Sequence, residues 1–363
     1  MDTRIVLYVI IILLGIIVGG SGKDVNRKKQ KWYVISILTL LILESSLRSL
    51  SVGTDTMGYY NDFESIKGYS WSNIWGAFSA TYQQGEGKDP GFALYVKLVQ
   101  LFSGDFNFFL FISALLFFIP LGLVLYNYSS HILQLVFAFT LYVALFHIVA
   151  LSGIRQQIAT GFTFLALLEM GKGKKWRSLL FVGIGSIIHI SALIFLLVPV
   201  LSLLNRKYLK PIHLASFFTI PIVIVYSSAI MLFAASFIEN DYYSSYGAGE
   251  SNREAYFYIF LMELLSLFCY ISIKKEHIMK SSSISRLYIM LPLLTLTVPL
   301  ISLNGAMIRI GQYFTLYMML LAPISFDLFF PQKLRASIYI IMIMALMFLS
   351  LNSSSFNYSF FWQ

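Results

Sequence analysis

Apolar positions fill this chain in long uninterrupted runs, separated by short clusters of Lys and Arg. The runs cover 4–19, 32–50, 106–126, 131–150, 154–171, 177–204, 211–237, 255–273, 287–303, 309–330 and 335–351. Most match the roughly 17–25 residues a helix needs to cross a hydrocarbon core. A buried soluble core would explain one or two such runs, not ten. The pattern predicts an all-α fold, a polytopic bundle of transmembrane helices. One further segment, 92–103, is too short to cross and carries Lys97. It is expected to lie against the outer interface.

The basic clusters set the orientation. Five short loops, Lys23–Lys31, Lys172–Arg177, Arg206–Lys210, Lys274–Arg286 and Lys333–Arg335, hold 18 of the 26 Lys and Arg residues. Such concentration marks cytoplasmic loops. With all five inside, the first run enters from outside and 51–105 and 238–254 become external loops. The run 177–204 then poses a problem, because basic loops flank it on both sides. One crossing would invert every later basic loop, so a re-entrant hairpin turning near Ser186–Ser191 is expected. Gly183, Gly185, Ser186 and His189 cluster at that turn, and Gly weakens a continuous helix. Broken backbone at membrane depth is tolerated where protein covers it or a wet cavity borders it. His189 is therefore placed at the tip, lining an outward-facing cavity. The sum is ten full spans, one hairpin and both chain ends outside, in one domain over residues 1–363. The first run lacks a basic leader and a small-residue cleavage site, so it is taken as a retained helix.

Composition sharpens this picture. Hydrophobic residues make up 58% of the 363 positions and charged residues only 12%, against about 25% charged in soluble domains. The net charge of +9 resides in the basic loops, which excludes nucleic acid as a partner. A single cysteine, Cys269, leaves no intrachain disulfide and no thiol cluster. His131, His147, His213 and His277 lack metal-ligand spacing with carboxylates, so no metal site and no cofactor are expected. No phosphate-binding loop, nucleophile elbow or dinucleotide fingerprint is present.

On the outer half, Arg48, Arg155 and Arg309 stand at helix ends. One such arginine is most simply a snorkelling anchor. Three together suit bidentate recognition of phosphate. Arg155 stands out, because Gln156 and Gln157 follow it at a helix N-terminus, where free N–H groups already favour anions. The segment Arg48–Tyr60 surrounds Asp55 with small and polar residues, including Thr54 and Thr56. Asp55 is either an acceptor-hydroxyl base or sugar ligand, or an Asx-turn residue. Glu44 and Arg48, at i,i+4 spacing, either pair with each other or leave Arg48 for substrate. Glu263, within a span, is a functional candidate or the neutral partner of an arginine. Tyr242 and Tyr243 offer flat faces for sugar stacking, or are aromatic-belt residues.

Four stretches, in order, carry a family likeness. They are Arg48 to Phe63 with its VGTDT, DPGFALYVKLV at 89–99, GIRQQIATGF at 153–162, and IIHISALIFL at 187–196. A weaker echo occurs at Arg309–Phe314. The chain resembles the EpsG family of exopolysaccharide and capsule polymerases, the Wzy-like enzymes, with Asp89 in place of that family's usual Glu. The resemblance implies a fold similar to GT-C glycosyltransferases and a polyprenyl-diphosphate-linked oligosaccharide donor. It implies transfer of the growing glycan onto the next lipid-linked repeat unit, at the outer face of a bacterial cytoplasmic membrane. It implies membrane lipid as surroundings, and a flippase and a chain-length regulator as partners in the same pathway. By motif match it assigns Asp55, His189 and Arg155 to catalysis. Arg48, Thr54, Thr56, Tyr60, Gln156, Arg309, Tyr242 and Tyr243 are expected on the substrate side. Two rival functions are a lipid-linked oligosaccharide flippase and a membrane O-acyltransferase. The first would show paired broken helices in two halves, and only one broken segment is evident here. The second would need an inward or intramembrane His site.

Overall fold

The computed structural model describes residues 2–19, 26–204, 206–226, 229, 255–273, 282–303, 307–353 and 356–363. Helices form nearly all of it, and among the described residues the one β-bridge joins Arg48 to Phe360. In chain order the first half holds α1 (Thr3–Gly19), α2 (Arg27–Ser46), α3 (Thr56–Lys67), α4 (Trp71–Gln83) and α5 (Pro90–Gln100). Next come α6 (Phe106–Tyr128), α7 (Ile132–Leu145), α8 (His147–Ser152), α9 (Ile154–Gly171) and α10 (Lys175–Ile188). Among the described residues four helices are long and apolar enough to cross a membrane: Phe106–Tyr128, Ala255–Ser272, Ile284–Ser302 and Gln332–Asn352. Many large apolar side chains face outward, among them Leu13, Ile17, Ile340, Met344 and Phe348. That is the surface expected of helices bathed in hydrocarbon rather than water.

Local chemistry explains where the elements begin. Asp105 caps α6 by accepting from the N–H groups of Asn107 and Phe108 at 2.6 and 3.2 Å. Asn26 does the same for α2, accepting from Lys29 N–H at 3.1 Å. The α2 helix therefore starts five residues ahead of its apolar run, because a basic first turn costs little when capped. The run 131–150 divides at Phe146 into α7 and α8, and the run 309–330 divides between Thr315 and Met318. The stretch 51–105 holds three helices, α3 to α5, rather than open loop. The α6 and α9 helices touch backbone to backbone, since a side chain at Gly161 would collide with the Leu116 carbonyl. Small residues give membrane helices this kind of contact.

The bundle has two chemically distinct ends. At one, Arg27 donates to Ser129 O at 2.9 Å, His131 pairs with Asp327 at 2.6 Å, and a Cβ on Gly171 would lie 3.7 Å from the Arg286 guanidinium. Arg335 joins this end through Asp327 at 3.9 Å. His213, just beyond Lys210, meets Tyr288, just beyond Arg286, at 3.2 Å. At the opposite end His147 pairs with Glu44 at 2.9 Å, Asn107 donates to Ser46 O at 2.8 Å, and Arg4 donates to Ser350 O at 2.7 Å. Glu44 thus turns to His147 and Thr3, and Arg48, buried, donates to Ser45 instead of forming the i,i+4 pair.

Between Lys175 and Lys210 the chain leaves the basic end and comes back to it. The α10 helix stops at Ile188, His189 is extended at φ −153°, and a 3-10 helix (Ile190–Leu196) and α11 (Leu197–Ser202) follow. A Cβ on Gly185 would sit 3.6 Å from the Cβ of Ala192. Seven residues of continuous helix would separate these positions by about 10 Å. The backbone therefore folds back at His189.

Candidate active site

At the end away from the basic loops, a cleft of about 550 Å³ opens between the α3 start, the α9 start and the His189 turn. Three backbone devices shape it. Gly53, at φ +89°, lets the loop before α3 pass the Leu151 carbonyl, where any Cβ would be 2.6 Å from the oxygen. Thr54 N–H then donates to Ser152 Oγ at 3.2 Å, tying that loop to the turn before α9. At the second device, Asp89 takes the left-handed conformation with φ +49°, which Asp tolerates better than most residues. Pro90 follows at the first turn of α5, where its missing N–H costs nothing. Gly91 lets α5 touch the α10 backbone, since a side chain there would collide with Ile187.

The third device is the His189 turn. Asp89 does not cap its own helix. Its carboxylate reaches across to accept from Ile190 N–H at 3.1 Å and meets His189 Nδ1 at 2.9 Å. It thereby caps the 3-10 helix of a distant segment and fixes the imidazole. Burial would push the Asp89 carboxyl up, but the His189 and Ile190 hydrogen bonds and the Arg155 charge override it. The carboxyl is held below its ordinary range. Its side chain is 1% exposed.

Arg155 stands on the first turn of α9. It donates to Asp62 at 2.7 Å, lies 3.7 Å from Asp89, and stacks over Phe92 at 4.4 Å and Tyr59 at 5.6 Å. Its Nε is buried with no hydrogen-bond partner among the described residues. Arg309 opens the helix Ile308–Thr315 and pairs with Asp55 at 2.6 Å. Gln156 clasps these elements together, donating to Arg309 O at 2.8 Å and accepting from Ser191 at 3.4 Å.

Thus Thr54, Asp55, Arg155, Gln156, His189 and Arg309 line one cleft. Arg48, Thr56 and Tyr60 do not line it. Arg48 is buried at the end of α2, Thr56 donates to Val52 O at 2.6 Å as part of the loop, and Tyr60 packs on Phe106. Tyr242 and Tyr243 lie outside the described residues. Glu263 is buried in its helix and is not among the lining residues. Asp62, Asp89, Tyr59 and Lys88 also line the cleft; Asp89 stands within a family-like stretch of the sequence, but none of the four was expected in the site. The only local signal was Asp89 itself, standing before Pro-Gly, a dipeptide that demands special backbone geometry.

The cleft presents three fixed cations, Arg155, Arg309 and Lys88, beside an imidazole and three carboxylates. The two arginine pairs differ from the His189 pair in burial. Asp62 and Asp55 are 46% and 35% exposed, and exposed ion pairs contribute only about 0–1 kcal/mol. Either arginine can therefore trade its carboxylate for an anionic ligand at little cost. The Asp89–His189 pair is buried and serves as fixed framework.

Apolar helices around a charged cleft at one end of the bundle define a membrane protein with polar chemistry at a helix-end site. The chain matches the EpsG family over residues 31–363 and belongs to that family, the Wzy-like polysaccharide polymerases. Its role is accordingly that of a glycosyltransferase-type polysaccharide polymerase. Neither a curated protein nor a solved structure matches it.

Proposed function

We propose that the protein transfers a growing glycan from a polyprenyl-diphosphate-linked donor onto a lipid-linked repeat unit at the outer face of the cytoplasmic membrane. The observation that carries this is the convergence of Arg155, Arg309 and the Asp89–His189 pair on one cleft, at the end opposite the basic loops. Arg155 and Arg309 exchange Asp62 and Asp55 for the diphosphate and stabilise it as it leaves. Asp89 holds the proton on His189 Nδ1, so Nε2 is the basic nitrogen. That nitrogen takes the proton from the acceptor hydroxyl as the hydroxyl oxygen bonds to the donor sugar's anomeric carbon. The bond from that carbon to the diphosphate breaks, and the electron pair departs with the lipid diphosphate. Asp55, released by Arg309, is free to hold a sugar hydroxyl beside Thr54.

The ten-span topology, the GT-C-like fold and the re-entrant character of 177–204 belong to this proposal. The fold-back at His189 and the gathering of basic loops at one end support the re-entrant character; the GT-C-like fold rests on the family resemblance. In cells, Arg155→Ala is expected to abolish polymer while the protein still inserts and single repeat units accumulate. Polymer of normal length from that variant would remove Arg155 from the site.

A further inference from the structure

The α4 helix has an unusual surface. Its start is well determined: Ser70 Oγ accepts from Asn73 N–H at 3.2 Å, and Asn73 Oδ1 accepts from Ser70 N–H at 2.8 Å. Only Ile74 is buried along its length. Trp71, Trp75, Phe78 and Tyr82 follow at steps of four, three and four, which places them within an arc of about 60°. Three of the rings are neighbours in space, with Trp75 and Phe78 centroids 5.6 Å apart and Phe78 and Tyr82 centroids 6.3 Å apart. Trp71, Trp75 and Tyr82 are 43%, 58% and 55% exposed.

Two observations say what covers this stripe. Residues 71–83 include no charged side chain; the polar positions are Ser72, Asn73, Ser79, Thr81 and Gln83. A helix that anchors in a membrane interface carries Lys and Arg on its polar side, whereas neutral amides and hydroxyls beside flat rings match the hydroxyls and C–H faces of sugars. The stripe also leads toward the cleft along the chain. Its last ring, Tyr82, precedes the short loop to Lys88 and Asp89, both of which line the cleft. Glu86 N–H donates to Ala80 O at 3.0 Å, which folds this loop back against the end of α4, and partial burial and then the Asp89 carboxylate push the Tyr82 phenol up.

We infer that the aromatic stripe of α4 is a glycan-binding track, which seats the sugar chain as it extends from the cleft rim past Tyr82 toward Trp71. The inference rests on the polymerase assignment, but its test does not need catalysis. The probe is the repeat-unit oligosaccharide freed from its lipid diphosphate by mild acid. The protein is the Arg155→Ala variant with Trp32, Trp176 and Trp362 changed to Phe, so that tryptophan emission reports on α4 alone. The oligosaccharide is expected to shift that emission saturably, with affinity weakened about 3–10-fold by Trp75→Ala and kept by Trp75→Phe. In the active protein, Trp75→Ala is expected to leave the first linkage between two repeats at the normal rate and to shorten the final polymer. Emission unmoved by the oligosaccharide but quenched by lipids spin-labelled at headgroup depth would make the stripe a membrane anchor and overturn the inference. Loss of the first linkage together with length would also overturn it, placing the fault in the active site.

Discussion

Replacing Asp89 by Asn removes one charge and keeps the shape. The carboxylate serves His189 at 2.9 Å and Ile190 N–H at 3.1 Å, with Arg155 at 3.7 Å. An amide can keep its oxygen on Ile190 N–H, but its NH₂ then faces His189 Nδ1 and stabilises the tautomer with the proton on Nε2. The base is lost from the face where the acceptor hydroxyl must sit. A hydrogen bond to a charged group contributes about 1.5–3 kcal/mol, and each 1.36 kcal/mol of barrier is a factor of ten. The linking step in Asp89→Asn is therefore expected to fall roughly 10–150-fold, with KM for the lipid-linked donor little changed because Arg155 and Arg309 remain. Asp89→Glu restores the charge and should recover much of the rate. The assay is single-turnover formation of a two-repeat product by purified protein. A rate for Asp89→Asn within about threefold of wild type would refute the assignment of His189 as an Asp-held base. The pH dependence carries a further sign. Because Asp89 in the folded protein ionises below its ordinary value of 3.8, its contribution is complete above that value. It is lost only as pH falls through the lower folded value. Activity that declines between about pH 7 and 5 must therefore report a group other than Asp89.

Three other outcomes follow from the geometry. Gly91→Ala forces a methyl into Ile187 and should lower thermal stability by about 1–3 kcal/mol, read as a reduced melting temperature, with the linking rate falling as α5 and Asp89 shift. Arg309→Lys keeps a charge but not a planar fork, so it should raise donor KM about tenfold. Its Asp55 pair is exposed enough that stability should change by less than about 1 kcal/mol. Phe356→Ala should cost about 3 kcal/mol, since Phe356 packs with Val52, Leu151 and Tyr358 in a cluster that pins the Asp55 loop. Faster hydrogen exchange at Ser49, whose N–H donates to Ser359 O at 2.9 Å, is the measurement that checks it.

The pattern of apolar runs foretold many of the helices, because long stretches of apolar side chains are a local, repeated signal. The break at His189 was also legible, through Gly183, Gly185 and the two basic loops around it. What was not legible was pairing across the chain. Asp89 and His189 lie a hundred positions apart, and Asp55 and Arg309 lie 254 apart. No periodicity encodes which carboxylate meets which cation. Arg48 illustrates the hazard in the other direction. Its spacing from Glu44 suits an ion pair, yet Glu44 is drawn to His147 and Thr3 by the packing of α1 and α8. Within 51–105 the short segment 92–103 was legible and overlaps α5, whereas α3 and α4 were hidden because they lack the long apolar runs that reveal spans.

The measurement that bears most directly on the central claim is polymerisation by purified protein given only a lipid-diphosphate-linked repeat unit, with products resolved by size and Arg155→Ala run alongside. A ladder of linked repeats that disappears in the variant is the expected result. Wild-type protein that makes no ladder but moves intact lipid-linked repeat across a liposome membrane would contradict it and identify a flippase instead.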